Sequence, residues 1–181
     1  MNASRALDRM ERQEAAFDFD EFFRAHYARI ARTIARVVGN HARAEELAVE
    51  AFWKLWRNSQ AHGEMAGGWV YRTAVRLALN DLRGARRRHH YEQMSGSGPA
   101  ALTPEEARAA AEEREHVRLV LAALGEREAA LLLLRSSGLP YVEVAAALDL
   151  NPASVGTMIG RAQQAFRKEY LKLYGEKGNE R

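Results

Sequence analysis

The sequence contains no cysteine among its 181 residues, which excludes a disulfide scaffold, a thiolate metal site and a cysteine nucleophile. It also lacks any apolar run of about 18 residues, so no membrane-spanning segment is expected. The first residues carry scattered charges instead of an apolar signal segment, which predicts a cytoplasmic protein without membrane insertion. Hydrophobic residues make up 47% and charged residues 28% of the chain, as in ordinary globular proteins, so general disorder is not expected.

Recognisable catalytic and cofactor motifs are missing as well. There is no Gly-x-Ser-x-Gly elbow, P-loop or dinucleotide fingerprint, so an enzyme would have no identifiable chemistry. His89 and His90 are adjacent residues whose side chains would point apart, which is unsuitable for a shared metal. The spacing of Glu113 and His116 occurs in di-iron bundles, but the matching carboxylates on other helices are absent. We therefore predict no catalytic residue, no metal and no cofactor.

Helical periodicity dominates the sequence, and no segment alternates apolar and polar residues as a strand would. Apolar residues at steps of three and four predict a first helix over 23–37, followed by Gly39 as a stop signal. The same spacing predicts a second helix over 44–55 and a third from about Trp69 into Arg88. These patterns predict an all-α fold.

A loss of periodicity divides the chain into two parts. Residues 89–102 contain the run Ser-Gly-Ser-Gly-Pro and are predicted to form a flexible linker. Helical patterns occupy residues 17–88 before it and residues 103–174 after it. The sequence therefore predicts two small helical domains joined by a flexible linker.

Charge is distributed unevenly along the chain. The formal net charge is zero over residues 1–67, +5 over 68–88, −5 over 89–151 and +3 over 152–181. Positive charge thus lies on both sides of an acidic middle, which indicates two separate surfaces for a polyanion. Nucleic acid is the leading candidate for that polyanion.

The third predicted helix has one cationic face and one apolar face. At helical spacing, a neighbouring inward face is formed by Tyr71, Val75, Ala78, Leu79 and Leu82. A row of guanidinium groups on the other face could follow a phosphate backbone. An ordinary solvated face is the alternative, although Asp81 is the only acid over 68–88. The candidate DNA-contacting residues of this face are Arg72, Arg76, Asn80, Arg83 and Arg87.

A second candidate DNA-binding element lies near the end of the chain. Two helices predicted over 141–150 and 152–174, with the small Ala145 at their crossing, match a helix-turn-helix. The inward face of the second helix is apolar, and a plain helical hairpin is the alternative. Its polar face, suited to base edges and phosphates, consists of Ser154, Thr157, Arg161, Gln164 and Lys168.

These segments resemble one known family. The segments RAEELAVEAFWKLW (43–56) and GGWVYRTAVRLALNDLRGARRR (67–88) resemble region 2 of the extracytoplasmic-function sigma factors of RNA polymerase. The segment ALGEREAALLLLRSSGLPYVEVAAALDLNPASVGTMIGRAQQAFRK (123–168) resembles their region 4. Both segments occur in the family's order, on either side of the predicted linker.

The resemblance implies a non-enzymatic factor that binds core RNA polymerase and directs it to promoter DNA. Region 2 would contact the clamp helices of the largest polymerase subunit, and would open and read the −10 element as single-stranded DNA. Region 4 would read the −35 element as a duplex and pack on the polymerase flap. An anti-sigma protein that clamps the two domains together is a further expected partner.

The resemblance also implies site residues. Glu45, Glu46, Leu47, Glu50 and Phe52 fall on the polymerase-facing helix, and Trp53 is a candidate interface anchor on its charged side. Trp69, Tyr71, Arg72, Arg76 and Asn80 fall on the helix that contacts the −10 strand.

Some positions depart from the family pattern. Arg76 and Asn80 stand where Asn and Asp are common, which makes the −10 face more basic, and Asp149 replaces a frequent turn glycine.

Two other functions are compatible with the same residues. A stand-alone regulator would use only the helix-turn-helix and bind a palindromic operator as a dimer, without polymerase. A helical adaptor protein would show no salt-dependent DNA binding.

Overall fold

The computed structural model describes residues 17–94 and 105–175, and these residues contain seven α-helices and no strand. The all-α prediction is confirmed. The helices are α1 (Phe19–Val38), α2 (His41–Trp56), α3 (Ala66–Met94), α4 (Glu105–Ala123), α5 (Glu126–Ser136), α6 (Tyr141–Leu148) and α7 (Pro152–Tyr174). Two 3-10 turns, Ser59–Ala61 and Gly63–Met65, connect α2 to α3.

Local side-chain chemistry determines where several helices begin and end. Asp18 accepts a hydrogen bond from the Glu21 amide at the start of α1, and Asn151 accepts one from the Ala153 amide at the start of α7, both 2.9 Å long. Gly39 ends α1 in the left-handed conformation, with φ at 72°. These caps satisfy amides and carbonyls that the helices themselves leave unpaired.

The bounds of α3 differ from those predicted. The helix begins at Ala66 instead of near Trp69, and it continues to Met94, beyond Arg88. Residues 89–94 were predicted to belong to the linker, but they contain no glycine or proline, so nothing interrupts the helix there. The rest of the predicted linker, residues 95–102, lies outside the described residues.

The first half of the structure, α1–α3, encloses an aromatic core. Phe52 of α2 is buried, and four aromatic side chains of α1 surround its ring with centroids 4.8–6.3 Å away. These rings belong to Phe19, Phe22, Phe23 and Tyr27. The inward face predicted for α3 is buried at all five positions, which confirms its orientation.

The second half, α4–α7, packs directly on α3, so the buried core continues from one half into the other. Val75 and Leu79 of α3 line a cleft of about 220 Å³ together with Ala130 of α5 and Leu148 of α6. In this structure the two predicted domains are in contact. Within the described ranges, no helix combines the length and apolarity that a membrane span requires.

Candidate nucleic-acid interface

The outward face of α3 presents cations and an amide. Arg72, Arg76, Asn80 and Arg87 are exposed there, each within one or two turns of the next. Guanidinium groups at this spacing can bind successive phosphates, and the Asn80 amide can both donate and accept hydrogen bonds. These exposed positions permit DNA binding, which remains a prediction.

A cleft of about 560 Å³ lies beside this face, between α2 and α3. Trp53 of α2 and Arg57, which directly follows α2, line it on one side, while Trp69, Arg76 and Asn80 line it from α3. The Arg57 guanidinium carbon is 4.8 Å from the centroid of the Trp53 ring, and Trp53 is 51% exposed. Aromatic faces next to cations suit an unstacked base and its phosphate.

This cleft brings together residues that the sequence assigned to different partners. Trp53 was predicted to contact polymerase, but it lies beside the residues predicted for the −10 strand. Arg57 was not among the predicted site residues, although its i+4 spacing from Trp53 on α2 was a usable signal. Because the contact between α2 and α3 is tertiary, sequence spacing alone could not place Trp53 and Trp69 in one cleft.

Two residues predicted to contact DNA have other contacts in this structure. Tyr71 is 3% exposed, because it lies on the inward face of α3, and burial raises the pKa of its hydroxyl. Arg83 donates hydrogen bonds to the carbonyls of Ala122 (3.4 Å) and Leu124 (3.1 Å), where α4 ends and its carbonyls lack helical partners. Neither side chain is available to DNA in this arrangement.

The acidic face of α2 is exposed, but two of its predicted contact residues are not. Glu45 and Glu46 point to solvent and Glu50 is half-buried, so these carboxylates can reach a basic partner. Leu47 and Phe52 are buried in the core because they lie on the opposite, apolar face of the helix. They support the exposed acidic face of α2 without forming part of it.

The α6–α7 pair has the geometry of a helix-turn-helix. Ala145 is buried at the crossing and its carbonyl accepts the amide of Leu150 at 2.9 Å. Asp149 closes α6 in the left-handed conformation, with φ at 55°, at the position of the family's frequent turn glycine. A Cβ atom on Gly156 would lie 3.3 Å from the Tyr141 ring, which is closer than an ordinary contact, so the glycine leaves room for this ring.

The predicted polar face of α7 is largely exposed. Thr157, Arg161, Gln164 and Lys168 are all exposed, in a row along the helix. Ser154 is half-buried, and its hydroxyl donates to the Asn151 carbonyl at 2.8 Å, which ties it to the start of the helix. The opposite face is buried through Val155, Ile159 and Ala162.

An apolar groove of about 480 Å³ lies on the second half, between α4, α5 and α7. It presents mostly aliphatic surface, with Arg36 of α1 at its edge. Its apolar lining consists of Val117, Leu121, Leu132, Leu133, Ile159 and Phe166.

The metal-like patterns do not assemble a site among the described side chains. No group of three or more potential metal ligands comes together there. Glu113 instead accepts a hydrogen bond from the Tyr170 hydroxyl at 3.2 Å, and the His116 ring stacks on Tyr174 with centroids 3.9 Å apart. These contacts attach α4 to the end of α7.

Comparison with known proteins identifies one domain and two similar proteins. Residues 22–88, which form most of α1–α3, match the sigma-70 region 2 family. The chain is 29% identical over 167 residues to the ECF RNA polymerase sigma factor SigE of Mycolicibacterium smegmatis, covering 88% of this chain and 63% of that protein. It is 24% identical over 152 residues to the ECF RNA polymerase sigma factor SigW of Bacillus subtilis, covering 76% of this chain and 81% of that protein.

Residues 22–88 therefore form a sigma-70 region 2 domain, and the chain is similar to extracytoplasmic-function sigma factors. Sigma factors are transcription initiation factors and not enzymes, which agrees with the expectation of a non-enzymatic protein. The chain spans 63% of the length of the mycobacterial relative. The family match includes the exposed cations of α3 and the tryptophan cleft, which are the residues best suited to nucleic acid.

Proposed function

We propose that this sigma factor binds core RNA polymerase and directs it to promoters, with α1–α3 acting as region 2 and α4–α7 as region 4. The observation that carries the proposal is the cleft between Trp53 and Trp69, which joins stacking surfaces to Arg76 and Asn80. A surface of this composition suits single-stranded DNA better than duplex DNA, because bases stack on aromatic rings only after they leave the helix. Region 2 therefore opens and binds the −10 element.

The exposed cations of α3 bind the backbone of the −10 strand in this proposal. Arg72, Arg76 and Arg87 are exposed and can each neutralise a phosphate, which makes binding depend on salt concentration. Asn80 lies at the edge of the cleft, where its amide can contact a base edge. Because Arg76 and Asn80 replace other residues common in the family, this sigma factor prefers its own −10 sequence.

Region 4 reads the −35 element as duplex DNA through α7. The exposed row from Thr157 to Lys168 includes Arg161 and Gln164, whose side chains form the bidentate contacts typical of guanine and adenine. The start of α7 adds backbone amides that suit a phosphate. The second helix of a helix-turn-helix enters the major groove, and α7 is the second helix of this pair.

Two surfaces are proposed for polymerase. The carboxylates of Glu45, Glu46 and Glu50 on α2 contact the clamp helices, and the apolar groove between α4, α5 and α7 receives the flap. An anti-sigma protein is the proposed regulatory partner, and the polymerase partnership places the protein in the cytoplasm. Because each DNA-binding half contributes a weak contact, polymerase supplies most of the promoter affinity by joining them in one complex.

Transcription in vitro with core polymerase and a promoter library tests this function. The wild-type chain should select promoters with defined −10 and −35 sequences. Asn80→Ala should relax selection at −10 only, and Arg161→Ala should relax it at −35 only. Arg24→Ala, which changes an exposed arginine of α1, should change neither. Tight binding to a palindromic duplex without polymerase would instead indicate a stand-alone regulator. Absence of any salt-dependent DNA binding would indicate an adaptor protein.

A further inference from the structure

One arginine connects the two helices that carry the proposed polymerase and −10 contacts. The Arg43 side chain lies between α2 and α3, and two of its nitrogens donate to different carboxylates. The Nε atom donates to Asp81 of α3 at 2.9 Å, and the Nη1 atom donates to Glu46 of α2 at 2.8 Å. A guanidinium group can hold two carboxylates in this way because its donors form a rigid planar fork.

The stability of α2 does not explain a cation at position 43. Arg43 lies in the first turn of α2, where its amide donates to the side chain of the N-cap residue Asn40 at 3.0 Å. The start of a helix carries partial positive charge, so an acid is favourable there and a cation is unfavourable. The first turn of α2 nevertheless contains no acid. The two carboxylate partners of Arg43 therefore account for its position better than its own helix does.

Asp81 is the partner that lies next to the proposed DNA contacts. It is the only acid among residues 68–88, and its side chain is 14% exposed and paired with Arg43. Along the helix axis it is about 1.5 Å from Asn80 and about 7.5 Å from Arg76, at about 1.5 Å per residue. Both separations are shorter than the Debye length of about 10 Å at 0.1 M salt. A carboxylate at this position can therefore repel a strand bound to these residues.

Glu46 belongs to the other surface. It is one of the carboxylates proposed to contact the clamp helices, and its side chain is 64% exposed. Arg43 thus lies at the boundary between an acidic face of α2 and a cationic face of α3, and it balances negative charge on both. Loss of Arg43 would make both faces more negative. That change favours contact with a basic protein surface and disfavours contact with phosphate.

We propose that Arg43 is a positioning residue that holds the Asp81 carboxylate on the α2 side of α3, away from the −10 strand. It thereby keeps the DNA-facing side of α3 cationic without touching DNA itself. This inference rests on the proposed function, because it adds a residue to the proposed −10 site. Released from Arg43, the Asp81 carboxylate can turn toward Asn80 and the strand. Repulsion between one charge and the phosphates about 10 Å away weakens binding about threefold.

A double-mutant cycle tests this assignment with polymerase holoenzyme. A labelled single-stranded oligonucleotide with the −10 sequence that the wild-type chain selects is titrated at saturating core polymerase. Arg43→Ala should weaken its binding about threefold, and adding Asp81→Asn to that variant should restore the wild-type affinity. Asp81→Asn alone should change the affinity by less than about 1.5-fold, because Arg43 already holds this carboxylate away from the strand. Equal effects of Asp81→Asn with and without Arg43 would overturn the proposal, since the two charges would then act independently.

A second double variant separates the position of a charge from the net charge. Arg43→Ala/Glu46→Gln has the same net charge as Arg43→Ala/Asp81→Asn, but its neutralised carboxylate lies on α2. It should bind the oligonucleotide about threefold more weakly than the wild-type chain. Recovery of affinity in both double variants would show that only total charge matters, which would overturn the proposal. Arg24→Ala, which removes an exposed pair with Asp20 on α1, should keep the wild-type affinity, and an equal loss in this variant would count against Arg43 in the same way.

Association with core polymerase shows whether loss of Arg43 has only damaged the fold. A folding defect would weaken polymerase association and oligonucleotide binding together. Under the proposal the two change in opposite directions, because Arg43→Ala makes the acidic face of α2 more negative and should bind core polymerase at least as tightly as the wild-type chain. Arg43→Met keeps the helix propensity of the side chain and should give the same pair of results. Parallel weakening of both interactions in the two variants would overturn the proposal.

The wild-type chain separates this inference from the proposed function. If it forms no complex with core polymerase, the proposed function fails and this inference fails with it. If it forms the complex and binds the oligonucleotide, but Asp81→Asn does not rescue Arg43→Ala, only the role of Arg43 is refuted.

Discussion

Replacing Trp53 with alanine should weaken binding of the −10 single strand while leaving binding of polymerase intact. Stacking of one base on an aromatic ring contributes about 1–3 kcal/mol. The lower half of that range applies here, because Arg57 already covers part of the Trp53 ring at 4.8 Å. A loss of about 1.4 kcal/mol corresponds to roughly tenfold weaker binding.

Fluorescence anisotropy of a labelled −10 oligonucleotide, titrated with polymerase holoenzyme, measures this change. Trp56→Ala is the matched control, since Trp56 lies on the same helix, is 61% exposed and does not line the cleft. It should alter the affinity by less than about twofold. The salt dependence provides a second control, because Trp53→Ala removes no phosphate contact and should leave its slope unchanged.

Arg76→Ala should behave differently in the same assay. Loss of one phosphate contact lowers the log–log salt slope for a single strand by about 0.7. A role of the cleft in DNA binding would be refuted if Trp53→Ala left oligonucleotide affinity unchanged and weakened association with core polymerase. Trp53 would then be the interface anchor that its position on α2 first indicated.

Substitutions at three other positions should change the stability of the chain. Asp149→Gly should raise the free energy of unfolding by about 0.5 kcal/mol and Asp149→Ala should lower it, because position 149 has a φ of 55°. If urea denaturation gave the same change in unfolding free energy for both variants, this prediction would be wrong. Tyr71→Phe should stabilise the chain by up to about 1 kcal/mol, since the buried Tyr71 hydroxyl has no hydrogen-bond partner among the described residues. A large drop in the melting temperature of this variant would instead show that the hydroxyl has a partner. Burial lowers the pKa of His26, and the charge of Glu143 only partly opposes this effect. The unfolded chain therefore binds a proton at His26 more readily than the folded chain does. Stability should therefore fall as the pH drops from about 7 to about 5.5, and His26→Phe should flatten that dependence relative to the wild-type chain in parallel urea titrations.

The helices could largely be predicted from the sequence because their apolar residues recur at helical spacing. The inward residues of α3 and the small residue at the α6–α7 crossing follow from local periodicity, and the structure buries them as expected. The end of α3 could not be predicted in this way. Residues 89–94 lack an apolar stripe, but the absence of glycine and proline is enough for a helix already formed to continue.

The sequence did not indicate which residues of different helices lie together in the site, because this depends on tertiary contacts. Residues of α2 and α3 that line one cleft are separated by the connecting 3-10 turns, so no spacing rule relates Trp53 to Trp69. Gly68 lies just before the predicted start of the third helix near Trp69, and its close approach to the Ala146 backbone depends on the position of α6. Such contacts depend on how helices pack, which periodicity does not specify.

Arg83 illustrates why a cationic helix face is an ambiguous signal. A guanidinium group has five donors and binds any planar or clustered oxygen acceptors, so helical spacing alone does not distinguish a phosphate from peptide carbonyls at a helix end. In this structure Arg83 binds two such carbonyls, and those bonds must break before the side chain can reach DNA. The same arginine cannot bind these carbonyls and the −10 strand at the same time. Its contribution to DNA affinity is reduced by the free energy of the bonds that it loses, so Arg83→Ala should change promoter affinity less than Arg76→Ala, whose ion pair is exposed.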